Sequence, residues 1–422
     1  MVINGPRTLH TLQEKEVERV MYLHWIRHRF ALIAGLAALL GCAVAHSVLA
    51  QEVRFQATGS FESYPLLTPV GQNIPLGDVV LTCPQGSRIP GLVSEFAGKR
   101  MLAAAIPNTQ SGKAYRFEVS KGKVYVPGRN AAISPKGDTL QVYLPRDLFT
   151  ELNFKHVRKP FFWPVLAPGR IPITRVWPMI DVDYEDKDHP HQKGLYFMHG
   201  SVNGIDFWNE RGNFGTIQQT SHDYSGPGTV VRLTTKNDWI GPEGNKFCED
   251  ERTYLFWSMD DPRIMDVSIT IRASEGPLTI GDSKEGTFGV RLTRWMTVNS
   301  GTGHMESSEG LKDKDVWGKR AAWVDYYGTK DGNTVGIAIL DAPGNFRFPT
   351  YWHARDYGLF AANPFGVKDF TGNADNSGTI ELKQGETLNL SYRVLVHSGD
   401  TQAAEISQFG LQYRATMPEG DR

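Results

Sequence analysis

The sequence predicts an all-β protein, built as a large antiparallel β-sandwich or a barrel. Short apolar or alternating segments recur along the chain, and turn-forming residues separate them. Glycine and proline are abundant, with 43 and 24 copies in 422 residues. Helical periodicity is confined mainly to one segment near the C-terminus. Many strands, few helices and frequent turns are typical of sandwiches and barrels.

Composition narrows the class of protein. The chain is 22% charged and 40% hydrophobic, which is ordinary for a globular protein and long enough for two domains or one large β fold. The formal net charge is −1, and no block of like charge is present. These values give no indication of a nucleic-acid partner.

The first 50 residues are predicted to be a signal peptide with a start-site extension. Arg27 and Arg29 precede an apolar run at residues 30–45, and small residues end at Ala50. This order is typical of a cleaved export signal, with Met21 as the expected true start. The mature chain is therefore expected to be periplasmic or secreted and to lack a membrane span. An uncleaved anchor and a lipoprotein lipidated at Cys42 remain alternatives.

Residues 51–153 are predicted to form a β-rich N-terminal region. Its expected strands span residues 78–81, 115–119, 123–126 and 141–144, and the second and third are expected to form a hairpin around Gly122. Nothing in this region indicates catalysis. Cys83 and Cys248 could pair in an oxidising compartment, but the sequence leaves this open.

Residues 154–415 are predicted to form the main β-sandwich domain. Its first part, residues 154–179, is rich in proline and aromatic residues. Because proline removes a backbone donor, this part is expected to form edge strands and an ordered loop and no central strand.

The segment at residues 188–210 is the strongest functional candidate. It contains three of the twelve histidines around a short apolar strand at residues 195–198. His189 and His191 are two residues apart and would face the same side of an extended chain. So many polar groups beside a buried strand indicate a site, although a hairpin with structural histidines is the alternative.

Further strands are expected along the rest of the chain. They span residues 229–234, 252–257, 266–272, 334–340, 379–382 and 387–396. A closing helix is expected at residues 401–413, with Thr401 as its N-cap.

Two more segments in this part carry candidate functional groups. Lys284 and Glu285 lie on a glycine-bounded turn. His353 and Arg355, in a polar and aromatic stretch at residues 341–366, would share one face if extended.

Four long motifs carry a resemblance to a known family. They read D-H-P-H-Q-K-G-L-Y-F-M-H-G-S-V-N-G-I-D-F-W, G-D-S-K-E-G-T-F-G-V-R, W-G-K-R-A-A-W-V-D-Y and P-T-Y-W-H-A-R-D-Y-G-L-F-A-A-N-P-F-G. Together they resemble the PmoA-like family of exported bacterial proteins, over residues 159–399. Where that family reads His-Pro-His-His-Arg-Gly, this chain has Gln192 and Lys193, and lysine lacks the guanidinium fork.

The resemblance also has implications for fold and activity. The family usually carries the label methane oxygenase, but that oxygenase subunit is an integral membrane protein and the mature chain has no predicted span. No methane monooxygenase activity is therefore expected. The family is similar to the galactose-mutarotase-like supersandwich, which houses epimerases, lyases and parts of glycosidases. This implies a β-sandwich that acts on a sugar or glycan.

The resulting hypothesis is a carbohydrate-active protein, leaning towards an enzyme of lyase, hydrolase or epimerase type that uses histidine acid–base chemistry. The candidate catalytic residues are His191, His199, Glu285, His353 and Arg355. The candidate substrate-binding residues are His189, Lys193, Asn203, Asp206, Trp208, Lys284, Asn345, Trp352, Asp356 and Tyr357. No cofactor is expected, although a divalent metal at His189 and His191 stays open. A non-catalytic sugar-binding protein is the remaining alternative.

Overall fold

The computed structural model describes residues 51–145 and 147–417 of the chain. The predicted signal peptide and Cys42 lie outside these residues. The described strands and helices in chain order are β1 (Gln51–Gln56), β2 (Phe61–Pro69), β3 (Gly77–Thr82), β4 (Arg88–Phe96), β5 (Lys99–Thr109), β6 (Ala114–Lys121), β7 (Ala132–Lys136), β8 (Thr139–Tyr143), β9 (Leu148–Asn153), β10 (Phe161–Ala167), β11 (Ile171–Pro172), β12 (Leu195–His199), β13 (Thr216–Tyr224), β14 (Val230–Ile240), β15 (Lys246–Trp257), β16 (Arg263–Arg272), β17 (Leu278–Ile280), β18 (Gly286–Arg291), β19 (His304–Ser307), β20 (Trp323–Lys330), β21 (Asn333–Asp341), β22 (Tyr351–Ala354), β23 (Leu359–Asn363), α1 (Val367–Thr371), β24 (Ile380–Leu382), β25 (Thr387–Ser398) and α2 (Ile406–Thr416).

The strands form three antiparallel sheets, which confirms the predicted all-β sandwich. The N-terminal sheet has the order β1-β6-β3-β4-β5-β2. The central sheet has the order β13-β14-β15-β16-β25-β21-β20-β19. The outer sheet has the order β22-β23-β18-β12-β10-β9-β8-β7, with β11 paired to β10, and β17 and β24 form a separate pair.

The middle strands of the central sheet, β16, β25 and β21, are buried on both faces. On one face its aromatic residues meet those of the outer sheet, and the ring of Phe288 stacks on Tyr392 with 4.9 Å between centroids. On the other face Leu255 and Leu395 pack in one core with the N-terminal sheet and α2. Burial on both faces explains why these three strands carry apolar residues at both alternating sets of positions. The outer face of the outer sheet is left to carry the polar stretches.

The N-terminal region departs from the sequence prediction in one element. Residues 123–126 form no strand, so the expected hairpin at Gly122 is wrong. Strand β6 is paired on its two sides with β1 and β3, which leaves no edge for a further strand. The predicted boundary at residues 153 and 154 stays a prediction, but β7, β8 and β9 join the same sheet as β10. Cys83 and Cys248 are both free thiols.

Strand β10 is a central strand, and the prediction that prolines exclude one here is wrong. It pairs with β9 on one side and β12 on the other. The register with β9 shifts between Phe162 and Val165, so Pro164 lies in an irregularity where no ladder donor is needed.

The predicted C-terminal helix is present but starts later than expected. Residues 401–405 form turns, and α2 begins at Ile406. The Thr401 hydroxyl does not cap the helix, because it donates to Asp325 Oδ2 at 2.7 Å. Within the described ranges, no helix is both long enough and apolar enough to cross a membrane.

Candidate active site

One row of residues across the outer sheet forms the floor of the candidate site. The register pairs His353 on β22 with Ala361 on β23, Ala361 with Gly289 on β18, and Gly289 with Tyr196 on β12. Directly paired residues share one face of a sheet, so His353 and Tyr196 stand on either side of two small residues. The opposite face carries Phe288, which packs into the sandwich core. Since only Gly289 and Ala361 separate the two larger side chains, we call this row the trough; His353, Ala361 and Tyr196 are buried, so other parts of the chain cover it.

A loop held by two arginines covers one side of this trough. Asp188 Oδ1 accepts from Arg175 Nη1 at 2.5 Å and from Arg291 Nη2 at 2.7 Å. Arg175 Nη2 also binds the carbonyls of His189 and Gln192, at 2.8 and 3.1 Å. Partial burial opposes ionisation of Asp188, but the His189 hydrogen bond and the two arginine charges lower its pKa. Asp188 is thus a structural anion that fixes the histidine loop.

His191 lies at the bottom of the site with no hydrogen bond of its own. The residue is 3% exposed, and neither ring nitrogen has a partner among the described residues. Its ring centroid is 6.3 Å from that of Trp208, whose indole nitrogen is also unpartnered. Burial, and then the charges of Lys159 and His189, lower the pKa of His191 to about 3. The imidazole is therefore neutral at pH 7 and offers one donor and one acceptor.

His353 on β22 is buried in a similar way but has a defined tautomer. One ring nitrogen of His353 donates a hydrogen bond to the backbone carbonyl of Lys284. Nδ1 has no partner in the described part of the chain. Burial, and then the charge of Arg355, lower the pKa of His353 to about 3. A neutral ring that donates through one nitrogen presents a lone pair at the other, which is what a general base needs.

Glu285 is an acid whose own pKa is affected by burial and by the charges of Lys284 and His189. It lies just before β18, with a side chain 29% exposed, and its Oε1 is 3.8 Å from Lys284 Nζ. Burial raises the pKa of Glu285, and the charges of Lys284 and His189 only partly oppose the rise. A carboxyl group with a raised pKa can serve as a general acid.

The two polar stretches meet through stacked rings. The His189 ring lies parallel to that of Tyr357, at 5.3 Å and 5°. Arg355 lies over Tyr357 at 5.6 Å and over Trp317 at 5.7 Å. The Arg355 guanidinium has no carboxylate partner within the described ranges. Its positive charge is therefore held on two aromatic faces and stays open to a ligand.

A lysine pair closes the other end of the trough. Lys159 Nζ donates to Glu210 Oε1 at 2.6 Å, and Lys193 Nζ donates to Glu210 Oε2 at 2.9 Å. Burial, partly offset by Glu210, lowers the pKa of Lys159 to about 8. Lys159 also lies 5.9 Å from the ring centroid of Tyr196. The ammonium group of Lys193 is thus engaged in an ion pair with Glu210.

Several predicted residues lie elsewhere or support the backbone. His199 accompanies Phe197 on the inner face of β12, and its Nε2 lies 2.7 Å from the Gly281 carbonyl. Burial lowers the pKa of His199 to about 4. Trp352, which alternates with His353, faces the core and donates its indole N–H to the Ala321 carbonyl. The structure does not bring His199 or Trp352 into the trough.

The remaining predicted binding residues have their polar groups engaged. Asp206 accepts the backbone amides of Trp208 and Asn209, so it positions the tryptophan. Asn203 is bonded to Thr279 N at 2.7 Å. Asn345 binds Asp341 and the backbone of Ser391. Asp356 Oδ2 is 3.5 Å from Lys314 Nζ.

The sequence analysis missed Tyr196, Lys159 and Arg291. Tyr196 sits in an apolar strand, and its hydroxyl is buried without a partner. Burial raises the pKa of Tyr196 well above its ordinary value, so the hydroxyl stays protonated. Arg291 lies 4.7 Å over the Tyr357 ring. Alternation gives no signal for Tyr196, because the strand is buried throughout and Met198 shares the face of Tyr196.

The trough can therefore transfer protons and bind a polar ligand. It combines two neutral histidines, a protonated tyrosine, a carboxyl group with a raised pKa and an open guanidinium. In residues 51–145 and 147–417, no group of three or more histidine, cysteine, aspartate and glutamate side chains is arranged to hold a metal ion.

Fold and site together define an all-β sandwich protein with a titratable cluster on the outer face of one sheet. Residues 132–409 match the model of a family described as a family of unknown function, DUF6807, and the chain belongs to that family. The description assigns no activity, and the more specific resemblance to PmoA-like proteins stays a prediction. A search of curated proteins finds no match.

The solved structures that match the chain include the following two. One is a GH36 alpha-galactosidase from Geobacillus stearothermophilus in complex with raffinose, with 10% identity, a TM-score of 0.36, and coverage of 69% of this chain and 44% of that one. The other is an alpha-mannosidase from Enterococcus faecalis, with 10% identity, a TM-score of 0.41, and coverage of 86% of this chain and 45% of that one. The chain thus aligns with less than half the length of either enzyme.

Proposed function

We propose that the chain is an exported carbohydrate-active enzyme that moves a proton on a sugar ring bound in the trough between His353 and Tyr196. The observation that supports this is the set of buried polar atoms without partners. These are both nitrogens of His191, Nδ1 of His353, the Tyr196 hydroxyl and the Trp208 indole nitrogen. Buried polar groups are almost always hydrogen-bonded, so a cluster of unbonded ones favours a polar ligand.

A sugar suits this set of groups better than a small ion that is only a hydrogen-bond donor or only an acceptor. Each neutral imidazole offers a donor and an acceptor, and a sugar hydroxyl can be both. The half-exposed rings of His189 and Tyr357 provide an aromatic surface beside these groups. Apolar ring faces and directional hydroxyls are the two features that sugar recognition needs.

The carboxylates favour proton transfer over hydrolysis. Glycoside hydrolysis ordinarily uses a pair of free carboxyl groups on either side of the bond. Here Asp188 is bound to Arg175 and Arg291, and Glu210 is bound to two lysines. Of the three acids described above at the trough, Glu285 has the longest ion-pair distance, 3.8 Å to Lys284 Nζ. One acid with two neutral histidines fits epimerase, mutarotase or lyase chemistry.

In this proposal His353 is the general base and Glu285 the general acid. His353 Nδ1 accepts the proton, while the Lys284 carbonyl stabilises the imidazolium that forms. Arg355 and Lys284 stabilise negative charge that develops on a ring oxygen or an enolate. His191, Trp208 and Tyr196 bind hydroxyl groups. The galactose-mutarotase-like resemblance of the sequence agrees with this chemistry.

One experiment separates the reaction classes. The purified mature chain is incubated in D₂O with a panel of neutral and acidic mono- and disaccharides and followed by proton NMR. Faster anomeric exchange indicates a mutarotase, deuterium at a ring carbon indicates an epimerase, and new vinyl signals indicate a lyase. Binding without any of these changes supports a non-catalytic sugar-binding protein. Absence of both binding and turnover would contradict the proposal.

A divalent-metal enzyme is the second candidate. His189 Nδ1 is held by Asp188 at 2.8 Å, an arrangement that commonly orients a metal-ligating imidazole. The His191 nitrogens are unpartnered, and the two ring centroids are 5.7 Å apart. Calorimetric titration with Zn²⁺ and Mn²⁺ tests this candidate. Stoichiometric binding that is lost in His191→Gln would favour it.

A further inference from the structure

A second polar depression lies beside the trough on the same strand. Tyr351, two residues before His353, faces the same side of β22. It lines a pocket of about 280 Å³ with Arg320, Arg347, Val367, Asn376 and Ser377. The Phe370 ring stands between the two depressions, 5.6 Å from Tyr351 and 6.2 Å from His353. Two residues of strand span about 7 Å, so the depressions are neighbours.

The two arginines of this pocket are fixed by backbone carbonyls. Arg320 Nε donates to Pro349 O at 2.8 Å, and its Nη2 donates to two further carbonyls at 3.2 Å. Arg347 Nη1 donates to Pro364 O at 2.7 Å and to Gly378 O at 2.8 Å. These bonds leave Nη1 of Arg320, and Nε and Nη2 of Arg347, without a protein partner in the described part of the chain.

Neither guanidinium forms an ion pair within the described ranges. Two acids, Asp282 and Asp341, are close enough for their charges to act on these arginines. The Asp282 carboxylate accepts the backbone amides of Lys368 and Gly378. Asp341 accepts Asn345 Nδ2 at 2.6 Å and Thr350 N at 2.8 Å. Neither acid forms an ion pair with these arginines in the described part of the chain, and burial raises the pKa of Asp341 to about 7. The two guanidinium charges therefore exceed the carboxylate charge that opposes them.

The backbone and the aromatic rings hold this arrangement in place. Arg347 has φ of 62°, a conformation that non-glycine residues adopt only where their surroundings hold them. Its guanidinium lies 4.4 Å from the Phe346 ring centroid, and that of Arg320 lies 5.6 Å from Tyr351. Two preoriented guanidinium groups match the flat or tetrahedral oxygens of a carboxylate or sulfate.

We propose that this pocket is an anion subsite, which binds the carboxylate or sulfate group of an acidic saccharide while a neighbouring ring of that saccharide lies in the trough. The inference rests on the proposed function and specifies its substrate class. The trough itself supports an acidic substrate, because the Arg355 guanidinium has no carboxylate partner in residues 51–145 and 147–417 and lies over two aromatic rings.

The test uses a pair of ligands that differ only in charge. Binding of digalacturonate and of its dimethyl ester is measured by calorimetry at low salt. The acid is expected to bind about tenfold more tightly or better, since charge-assisted hydrogen bonds to a fixed guanidinium are the strong ones. The preference should fall about tenfold in Arg320→Gln and shrink as salt is added.

Two variants serve as controls. If Arg320→Gln proves unstable, Arg347→Lys replaces it. This variant keeps the charge but loses the guanidinium fork, so part of the preference for the acid should remain. Arg294→Gln removes a half-exposed arginine outside the pocket and should leave the preference unchanged.

The outcomes separate this inference from the proposed function. Equal affinity for acid and ester, with binding still lost in His353→Gln, overturns the subsite and leaves the proposed function standing. Absence of binding by either ligand and by neutral sugars overturns both. Inorganic sulfate that binds through Arg320, without any preference between the saccharides, would identify a free-anion site and overturn the saccharide subsite.

Discussion

Two buried histidines, His397 in the central sheet and His353 in the outer sheet, show how this protein uses the same residue type differently. His397 Nε2 lies 3.0 Å from Asp325 Oδ1, whose other oxygen accepts from Thr401. His353 has a backbone carbonyl at one ring nitrogen and no described partner at the other. Burial opposes protonation of both rings. The Asp325 charge outweighs burial and raises the pKa of His397. The Arg355 charge acts in the same direction as burial and lowers the pKa of His353 further.

The difference distinguishes core polarity from site polarity. A buried polar network in which every group is bonded stabilises the packing of a fold. A buried group that keeps a free lone pair lowers stability unless a ligand binds it, and such groups concentrate at functional sites. The following predictions test whether this distinction holds.

The largest effect is expected from Asp325→Ala. The carboxylate is fully buried and serves both His397 and Thr401. Removing one partner of a buried pair leaves the other uncompensated, so we expect a loss of about 3 kcal/mol or more in the free energy of unfolding. Urea denaturation measures the loss, with Glu243→Ala on an exposed turn as the control. Sugar turnover at temperatures where the variant is folded should be unchanged, and a selective loss of turnover would break the distinction.

The opposite pattern is expected for His353→Gln. Glutamine keeps a donor for the Lys284 carbonyl, so the melting temperature should change by no more than a few degrees. Turnover should fall about a hundredfold or more, because the group that accepts the proton is removed. The matched control is His304→Gln, an exposed histidine on β19. A parallel loss of melting temperature and turnover would assign His353 to the core.

The pH dependence of stability should have opposite signs at the two histidines. The folded pKa of His353, about 3, lies below the unfolded value near 6.5. Between these values the unfolded chain binds more protons, so stability falls as pH drops, by up to about 1.4 kcal/mol per pH unit. The pKa of His397 is raised, so its contribution is present below pH 6.5 and is lost as pH rises through its folded pKa.

Denaturation curves from pH 4.5 to 8.5 check both signs. His353→Gln should flatten the acid side, and His397→Gln should flatten the neutral-to-alkaline side. The same flattening in both variants would contradict the comparison, because it would mean that the two rings have equivalent environments.

The sequence was sufficient for the fold class because sheet burial leaves a direct pattern. Strands β16 and β25 are buried on both faces, and both were predicted, β16 from the alternation of Val267, Ile269 and Ile271 with polar residues. Strand β10 was mistaken for an edge because proline excludes a regular ladder, whereas the irregularity at Pro164 removes the need for a donor. Residues 123–126 alternate like a strand, but β6, the strand that precedes them, is already paired on both sides with β1 and β3.

The site was predictable in part, for a related reason. His189, His191, Glu285, His353, Arg355 and Tyr357 do gather around one trough, because β22, β23, β18 and β12 are neighbours in the outer sheet. Strand order brings these residues together, and strand order is not contained in local periodicity. Tyr196 was missed because its neighbours are apolar, and the face of a residue in a fully buried strand depends on which sheet covers it. His199 was included because it is a histidine near others, although its position on β12 turns it inward.

The smallest effect is expected from Lys193→Gln, which tests the distinction at the edge of the site. Lys193 was predicted to bind substrate, but its ammonium group lies 2.9 and 3.3 Å from the two oxygens of Glu210. Lys159 would still bind Glu210 at 2.6 Å after the substitution. We therefore expect a loss of about 0.5–1 kcal/mol in the free energy of unfolding and a change in KM of less than twofold. Lys159→Gln is the informative partner variant, because Lys159 is 2% exposed and its removal should destabilise the fold more. If Lys193→Gln instead keeps its stability and raises KM severalfold, Lys193 leaves Glu210 to bind the substrate. Side chains that are hydrogen-bonded in the free protein would then also belong to the binding site, and the distinction would fail at its edge.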